Sequence, residues 1–231
     1  LEWTVAAFMN GRLIVFEGVE GSGKTTQLKR TYQWLLESGW CERLQAKDLL
    51  RRLIITREPG GTEVGREIRQ LLLSPPSQEP LWDQAELLLY AADRAQHIQQ
   101  MLKPELTAGS LILCDRYTDS TIAYQGYGRG LSLELIDQLN QIATDGLQSD
   151  LTLWLDVDAA EGLNRTRNRG EGDRLEKADL SFHQRVQQGF IALAANFPDR
   201  IIRLDASLSE AEVTQQVQEI LTEKLTQWYE S

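Results

Sequence analysis

Short apolar runs alternate with longer segments of helical periodicity along most of the chain. Five runs are apolar at consecutive positions, which predicts strands covered on both faces. They are residues 12–17 (RLIVFE), 53–57 (LIITR), 111–115 (LILCD), 151–157 (LTLWLDV) and 201–205 (IIRLD). Strands that alternate with helices in this way are typical of βαβ units and of a mostly parallel sheet.

The segments between these strands have the apolar spacing of helices. Helices are predicted at about 24–38, 64–73, 82–103, 132–144, 159–169, 175–195 and 209–228. The predicted fold is therefore α/β, with three layers (αβα) and a five-stranded parallel sheet in the middle. The connection at 41–52 is long, and its LLRRLI end either extends the second strand or adds a helical turn.

The length of 231 residues is about one and a half average domains, so one α/β domain with insertions is expected. We expect it to span residues 10–231. Residues 1–9 are either an N-terminal extension or the result of a misassigned start, with Met9 as the true first residue. No long linker and no internal repeat divides the chain.

Charge and cysteine usage exclude several classes of protein. The net charge of −10 argues against binding to polymeric nucleic acid or to an anionic membrane. No apolar run approaches the roughly 18 residues of a membrane span, and the N-terminal residues lack the pattern of a signal peptide, so a cytoplasmic protein is predicted. The two cysteines and two histidines are too few and too far apart for a disulfide framework, a zinc site or a Ser/His triad.

The first predicted strand leads directly into a glycine-rich segment that a predicted helix follows. The segment fits the pattern of glycine, four residues and Gly-Lys-Ser/Thr, and it consists of Gly18, Val19, Glu20, Gly21, Ser22, Gly23, Lys24 and Thr25. Backbone N–H groups and the helix N-terminus surround nucleotide phosphates in such a loop. We expect Lys24 to reach the β- and γ-phosphates and the Thr25 hydroxyl to bind Mg²⁺.

Three charged residues near this loop have more than one interpretation. Glu20 is unfavourable among phosphate-binding N–H groups unless it faces a hydroxyl of a second substrate or a metal-bound water, and the alternative is a solvated side chain. Asp115 ends the third predicted strand, where an acid can hold Mg²⁺. Arg116 follows at the edge of the sheet where α/β proteins bind ligands, which suits a phosphate contact, and the alternative is a surface pair with Asp115.

Further motifs stand in order along the chain and carry a resemblance. They are TREPGGT (56–62), YAADRAQ (90–96), DRYTDSTIAYQGYGRG (115–130), LDV (155–157) and RTRNRGEGDR (165–174). With the glycine-rich loop, they make the chain from about residue 10 onward resemble the thymidylate kinase family. The resemblance implies a P-loop nucleoside monophosphate kinase fold, a homodimer, and Mg²⁺-dependent phosphoryl transfer from ATP to dTMP, which gives dTDP and ADP for dTTP synthesis.

The resemblance also implies a binding site for dTMP. Tyr90 and Arg94 share one face of a predicted helix, and the family places the tyrosine against the base and the arginine on the O4 carbonyl. From sequence alone Tyr90 reads as a core residue, because it continues the run LLLY. The remaining implied contacts to dTMP are Arg116 with its phosphate, Thr121 with base N3–H, Tyr124 against the 2′ carbon, Gln125 near base or sugar, and Glu20, Glu58 and Arg69 completing the pocket.

The stretch 165–174 carries four arginines and two glycines, and it resembles a lid that covers ATP. The glycine-rich loop itself has no arginine, so the cation that stabilises the transition state is expected from this stretch. Arg165 and Arg169 share a helical face, and the resemblance favours Arg169. A solvated basic helix face is the alternative.

Three other functions remain as alternatives at this stage. A P-loop NTPase switch of the GTPase class would need an Asn-Lys-x-Asp element, which does not occur in the sequence. A related kinase for a nucleoside or another monophosphate would keep the loop but alter Tyr90, Arg94 and Thr121. An inactive scaffold is disfavoured because Lys24, Thr25 and Asp115 are all present.

Overall fold

Five parallel strands form one sheet in the order β2-β3-β1-β4-β5. In this computed structural model, which describes residues 11–74, 80–167 and 174–230, the strands are β1 (Arg12–Glu17), β2 (Leu53–Arg57), β3 (Leu111–Asp115), β4 (Leu151–Asp156) and β5 (Ile201–Asp205). Helices lie on both faces, so the predicted α/β fold with a five-stranded parallel sheet is confirmed. Residues 1–9, the proposed extension, lie outside the described residues.

The helices follow the strands in chain order. They are α1 (Lys24–Glu37), α2 (Trp40–Ala46), α3 (Glu63–Leu73), α4 (Asp83–His97), α5 (Lys103–Thr107), α6 (Thr118–Thr121), α7 (Leu133–Thr144), α8 (Ala159–Arg167), α9 (Leu180–Asn196) and α10 (Glu210–Tyr229). Two π-helical turns, Ile98–Leu102 and Ile122–Gly128, extend α4 and α6. None of these described helices has the length and apolarity needed to cross a bilayer.

Alternate residues of the central strand face two different apolar cores. Ile14 and Phe16 belong to the core that includes Leu35 of α1 and residues of α10. Leu13 and Val15 belong to the opposite core, which contains Ile98 and Leu102 of the first π-helical turn. Because residues 13–16 are buried on one face or the other, this part of the strand is continuously apolar and does not alternate with polar residues.

Several sequence-based boundaries differ from the structure. The segment predicted as one helix at 82–103 is interrupted by the π-helical turn that precedes Pro104, whose ring nitrogen donates no hydrogen bond to the preceding turn. The helix predicted from 175 begins at Leu180, because Asp179 caps it by accepting a hydrogen bond from the backbone N of Phe182 at 2.7 Å.

The long connection after α1 and the second strand also differ from expectation. The connection contains α2, whose Trp40, Cys41 and Leu44 are buried, and its end at residues 49–52 neither extends the strand nor forms a helix. Coverage of β2 on both faces was a wrong prediction: Ile55 is 41 % exposed on this edge strand and lines an open cavity.

The register of the strands brings the chemical residues to one edge of the sheet. Asp115 pairs with Phe16 of β1 and with Arg57 of β2. All strands are parallel, so the segments that follow β1, β2 and β3 emerge side by side. The glycine-rich loop, Glu58 and Arg116 therefore begin at neighbouring positions.

Candidate active site

The loop between β1 and α1 has a backbone that two of its glycines make possible. Gly18 and Gly21 have φ values of 146° and 72°, which side-chain-bearing residues rarely adopt. A Cβ at Gly21 would lie 2.0 Å from the carbonyl oxygen of Gly162 in α8, and one at Gly18 would lie 2.5 Å from that of Leu155. Only glycine fits this close contact between the loop and the β4–α8 segment.

Lys24 spans the glycine-rich loop from the first residue of α1. Its Nζ donates to the carbonyl oxygens of Gly18 at 3.0 Å and Val19 at 2.8 Å, and to Ser22 Oγ at 3.3 Å. Burial lowers the pKa of this amine to about 8, and Arg116 acts in the same direction. The ammonium group therefore lies at the loop. Its N–H groups, which now donate to carbonyl oxygens, could donate to phosphate oxygens instead.

Thr25 and Asp115, the predicted metal ligands, lie together. The Thr25 hydroxyl donates to Asp115 Oδ2 at 2.9 Å. Both groups offer oxygen donors, which Mg²⁺ prefers, and a nucleotide-bound Mg²⁺ takes only one or two ligands from the protein. Within the described residues no group of three or more His, Cys, Asp or Glu side chains is placed to hold a metal. The pair therefore fits a metal that arrives with phosphates.

Arg116 faces the glycine-rich loop rather than forming a surface pair with Asp115. Its NH2 donates to Glu20 Oε1 at 2.6 Å and to the Tyr124 hydroxyl at 3.0 Å, and its NH1 donates to Gly18 O at 3.0 Å. The φ of Arg116 is 71°, a left-handed conformation that costs energy for a residue with a side chain and persists only where neighbours hold it. These contacts hold it.

Glu20 is thereby explained as the partner of an arginine. Tyr124 also donates to Glu20 Oε1, at 2.9 Å. Burial by itself would raise the pKa of Glu20, but Arg116 and Lys24 outweigh it and hold the pKa at about 2. Glu20 is thus a charged group that faces the pocket, which disagrees with the alternative of a solvated side chain.

Glu17, at the end of β1, contacts Arg116 and the N-terminal part of α6. Glu17 was not identified from the sequence. This fully buried carboxylate accepts from the backbone N–H groups of Tyr117 at 2.8 Å and Ser120 at 3.1 Å, and from Ser120 Oγ at 2.6 Å. Burial raises its pKa to about 7, although Arg116 opposes the shift. The only sequence signal is an acid inside an otherwise apolar strand.

Two neighbouring cavities border these groups. The larger, about 390 Å³, adjoins the loop, and the residues lining it include Lys24, Thr25, Arg57, Glu58, Arg69, Asp115 and Arg116. The smaller, about 20 Å³, is lined by Glu58, Tyr90, Arg94, Arg116, Tyr117, Ser120, Thr121, Tyr124, Gln125 and Leu175. Glu58 and Arg116 line both, so the cationic cavity and a narrower, more apolar pocket lie next to each other. We call the smaller one the inner pocket.

Tyr90 and Arg94 of α4 both line the inner pocket, as their shared helical face predicts. Tyr90 is half-buried there, so its interpretation as a core residue was wrong. Arg94 is held more firmly than expected: Nε donates to Glu58 Oε2 at 2.8 Å, and its NH1 and NH2 donate to Asn140 Oδ1 and to the Tyr117 carbonyl oxygen. Two of its five N–H groups remain for a ligand.

Glu58 is the centre of a buried network that the sequence did not reveal. Its other oxygen, Oε1, lies 2.9 Å from His97 Nδ1, and His97 Nε2 lies 2.7 Å from Thr56 Oγ1. Asp93 holds the backbone turn that follows Glu58, since its Oδ1 accepts from the Gly60 N–H at 2.9 Å. His97 thus supports Glu58, which lines the inner pocket.

Thr121, Tyr124 and Gln125 come from α6 and the π-helical turn that follows it. The Tyr124 ring makes edge-to-face contacts with Phe182 and Phe190 of α9, with centroids 6.2 and 6.4 Å apart. Gln125 Nε2 donates to Glu86 Oε1 of α4 at 2.6 Å. α6 and the π-helical turn together carry all three side chains to the inner pocket.

Arg69 and Arg165 lie at the margins of the site. Arg69 lines the larger cavity, and its NH1 donates to the carbonyl oxygen of Pro59 at 2.9 Å. Arg165 of α8 lies on the other side of the loop, where it lines a cavity of about 270 Å³ with Gly21, Ser22 and Gly23. The Arg165 guanidinium is bonded to Ala206 O and Glu161. Arg169 falls outside the described residues.

Comparison with known proteins gives one consistent family. The thymidylate kinase family model matches residues 16–217. A thymidylate kinase of Cyanothece sp. (strain PCC 7425) is 61 % identical over 96 % of this chain and 97 % of its own, and that of Trichodesmium erythraeum is 56 % identical over 95 % and 99 %. A crystal structure of thymidylate kinase from Ehrlichia chaffeensis superposes with a TM-score of 0.69 at 33 % identity, over 92 % of this chain and 99 % of that one. The chain therefore belongs to the thymidylate kinase family.

Proposed function

We propose that the protein transfers the γ-phosphoryl group of ATP to dTMP, yielding dTDP and ADP. The observation that carries this proposal is that the two cavities adjoin and share Arg116 and Glu58 in their walls. A phosphate-binding loop opens into one cavity and an aromatic, hydrogen-bonding pocket is the other. The inner pocket, at about 20 Å³, has room for about one water molecule and must widen to admit a nucleoside. A nucleoside bound there would direct its 5′-phosphate toward the glycine-rich loop.

The triphosphate of ATP has an evident place along Gly18–Thr25. Backbone N–H groups, the N-terminus of α1 and Lys24 supply positive charge there. The cavity beside Gly21 and Arg165 gives room for the rest of the nucleotide on the opposite side of the loop. Arg165 is thus a candidate cation near the phosphates, and Arg169 remains a prediction from the sequence resemblance.

A magnesium ion would be held by the Thr25 hydroxyl and the Asp115 carboxylate. When bound, Mg²⁺ neutralises charge on the phosphate oxygens during transfer. Donation by Thr25 to Asp115 at 2.9 Å keeps both oxygens on the same side of the cavity. Conversion of either oxygen ligand to an apolar group should therefore weaken nucleotide binding.

The reaction needs positioning and charge neutralisation more than a general base, because the acceptor phosphate of dTMP is already a nucleophile. Arg116 would contact that phosphate, because it lines both cavities and its pairing with Glu20 at 2.6 Å holds the guanidinium there. Glu20 faces the same space and can accept from a sugar hydroxyl. Lys24 and Arg116 together bracket the path between donor and acceptor.

Selection of the base and sugar rests on side chains of the inner pocket. Tyr90 stacks against the base, Arg94 donates to the O4 carbonyl, and Thr121 faces N3–H. Tyr124 packs against the 2′ carbon, and Gln125 approaches the base. The contacts of Arg94 with Glu58, Asn140 and Tyr117 support this role, because they leave the guanidinium fixed beside the pocket.

The proposal is tested by measuring ADP release with a panel of nucleoside monophosphates. The enzyme should turn over dTMP with the highest kcat/KM, should require Mg²⁺, and should be slow with dCMP, dAMP and dGMP. Release of ADP at the same rate without any monophosphate would indicate an ATPase instead. Preference for another monophosphate would overturn the assignment of the acceptor.

We further propose that the protein is a cytoplasmic homodimer. Exposed apolar side chains on α4 and on the two helices that pack against it, α3 and α7, support the dimer; they are Val64, Leu71, Leu88, Leu135 and Ile142. The two buried cysteines are free thiols, as is usual in a reducing compartment. Sedimentation equilibrium of the wild type and of Ile142→Glu tests the dimer, which the new charge should weaken.

A further inference from the structure

Glu86 lies one turn before Tyr90 on α4 and accepts hydrogen bonds from three side chains. None of the roles described above explains these contacts. The side chain is fully buried. Its Oε1 accepts from Gln125 Nε2 at 2.6 Å and from Arg129 Nε at 3.4 Å, and its Oε2 accepts from Arg129 NH2 at 3.2 Å and from Arg174 NH2. A buried carboxylate is stable only when it is paired and hydrogen-bonded in this way.

The two arginines bind Glu86 from segments that are otherwise well anchored. Arg174 also donates from Nε to the carbonyl oxygen of Leu72 at 2.9 Å. The Arg129 guanidinium lies 4.6 Å from the centre of the Phe182 ring. Glu86 therefore has a fixed position, and as a carboxylate it can only accept hydrogen bonds from its neighbours.

The contact with Gln125 has a consequence for the inner pocket. A side-chain amide carries an NH2 group that donates and an oxygen that accepts. A neighbour that only accepts hydrogen bonds therefore fixes which of the two ends faces it. Because Nε2 of Gln125 is bound to Glu86, its Oε1 lies on the opposite branch of an amide that lines the pocket. Gln125 is only 1 % exposed, so no solvent-facing conformation competes.

We propose that Glu86 is a positioning residue for base specificity, which fixes Gln125 so that the inner pocket presents a hydrogen-bond acceptor to the ring edge of the base. This inference rests on the proposed function and adds a residue to it. Thymine carries a donor at N3, whereas cytosine carries an acceptor there. An oxygen held toward that edge favours the first base and repels the second, whereas the Thr121 hydroxyl can rotate to suit either.

The test measures kcat/KM for dTMP and dCMP with the full-length chain. In Glu86→Gln the new amide can donate or accept, so Gln125 is free to turn. The dTMP:dCMP ratio should then fall by about tenfold or more. Glu86→Asp keeps the charge for both arginines but draws the carboxylate back from Gln125, and it should lower the ratio as well. The double variant Glu86→Gln/Gln125→Glu exchanges donor and acceptor and should recover most of the ratio.

The matched control is Arg129→Met, which removes its ion pair at Glu86 Oε2 and the longer contact at Oε1 but keeps the hydrogen bond from Gln125. Its dTMP:dCMP ratio should equal that of the wild type even if its melting temperature falls. Glu86→Gln and Glu86→Asp variants that slow both substrates by the same factor would overturn the proposal and leave Glu86 a structural residue. Failure of the wild type to phosphorylate dTMP would instead overturn the proposed function itself.

Discussion

Arg94 and Glu58 form a buried ion pair in which Nε and Oε2 are 2.8 Å apart and each side chain is 2 % exposed. Arg94 is thus both a wall of the inner pocket and the main counter-charge of Glu58. A change at this position should therefore affect stability and, under the proposed function, base recognition as well. Any experiment on its role in recognition must separate the two effects.

Replacement of Arg94 by alanine should destabilise the protein strongly. The change leaves Glu58 buried with His97 as its remaining side-chain partner, and loss of one member of a buried ion pair costs about 3–5 kcal/mol. Urea unfolding of Arg94→Ala against the wild type measures this cost. A difference below about 1 kcal/mol, the value of an exposed pair, would show that the pair is solvated in solution.

Base recognition by Arg94 is better tested with lysine, which retains the positive charge beside Glu58. Lysine lacks the planar fork that also reaches Asn140 and the Tyr117 carbonyl oxygen, so it cannot present a fixed donor to O4. The preference for dTMP over dCMP should fall much more in Arg94→Lys than in Thr121→Ala. Steady-state kinetics with both monophosphates gives the two ratios. Equal slowing of both substrates by Arg94→Lys would make Arg94 a structural residue only.

Tyr124 should determine the preference for deoxyribose over ribose. Its ring is held by Phe182 and Phe190, and its hydroxyl by Arg116 and Glu20, so it has little freedom to make room for a 2′-hydroxyl. Tyr124→Ala should therefore narrow the difference in kcat/KM between dTMP and its ribose analogue. Tyr124→Phe, which keeps the ring, should preserve most of that difference. An unchanged ratio in Tyr124→Ala would remove this residue from the sugar site.

The parts of this fold that sequence predicts are those that depend on local pattern. All five strands are continuous apolar runs, and their predicted bounds agree with the structure within one residue. The glycine-rich loop needs particular residues at particular spacings, so it too is visible. The helix α2 was missed because charged residues interrupt its short apolar face of Trp40, Cys41 and Leu44.

The supporting residues of the site depend on contacts that no local pattern records. Glu17 meets Ser120 across 103 residues of sequence, and Glu86 meets Gln125 across 39. Each is an acid in apolar surroundings, which is the only signal available in advance. For Tyr90 the local pattern was misleading. An aromatic residue in an apolar run has the sequence context of a core residue, and only the structure shows that it faces a pocket.

Lys24 should be essential for phosphoryl transfer. Its ammonium group is held at the loop, where phosphate charge is redistributed in the transition state, and loss of such a preorganised contact costs about 10²-fold or more in kcat. Lys24→Ala is compared with Lys47→Ala, an exposed lysine remote from the cavities. Near-normal turnover of a folded Lys24→Ala variant at saturating ATP would place the phosphate site elsewhere.

The pH dependence of stability should contain a contribution from Asp93. Its Oδ1 accepts from Gly60, whereas its Oδ2 is buried without a hydrogen-bond partner among the described residues. Burial, aided by Glu58, raises the pKa of Asp93 from 3.8 to about 6. The folded protein thus holds this proton more tightly than the unfolded chain does. The stabilisation is complete below pH 3.8 and is lost as the pH rises through 6.

Asp93→Asn removes this titration and keeps an oxygen for the Gly60 N–H. Between pH 5 and pH 7.5 the free energy of unfolding of the wild type should therefore fall by about 1–2 kcal/mol relative to that of the variant. Urea unfolding at both pH values measures the difference, with Asp137→Asn, an exposed aspartate on α7, as the control that should follow the wild type. Parallel curves for Asp93→Asn and the wild type would mean that Asp93 keeps an ordinary affinity for its proton, because the variant then removes no linked protonation.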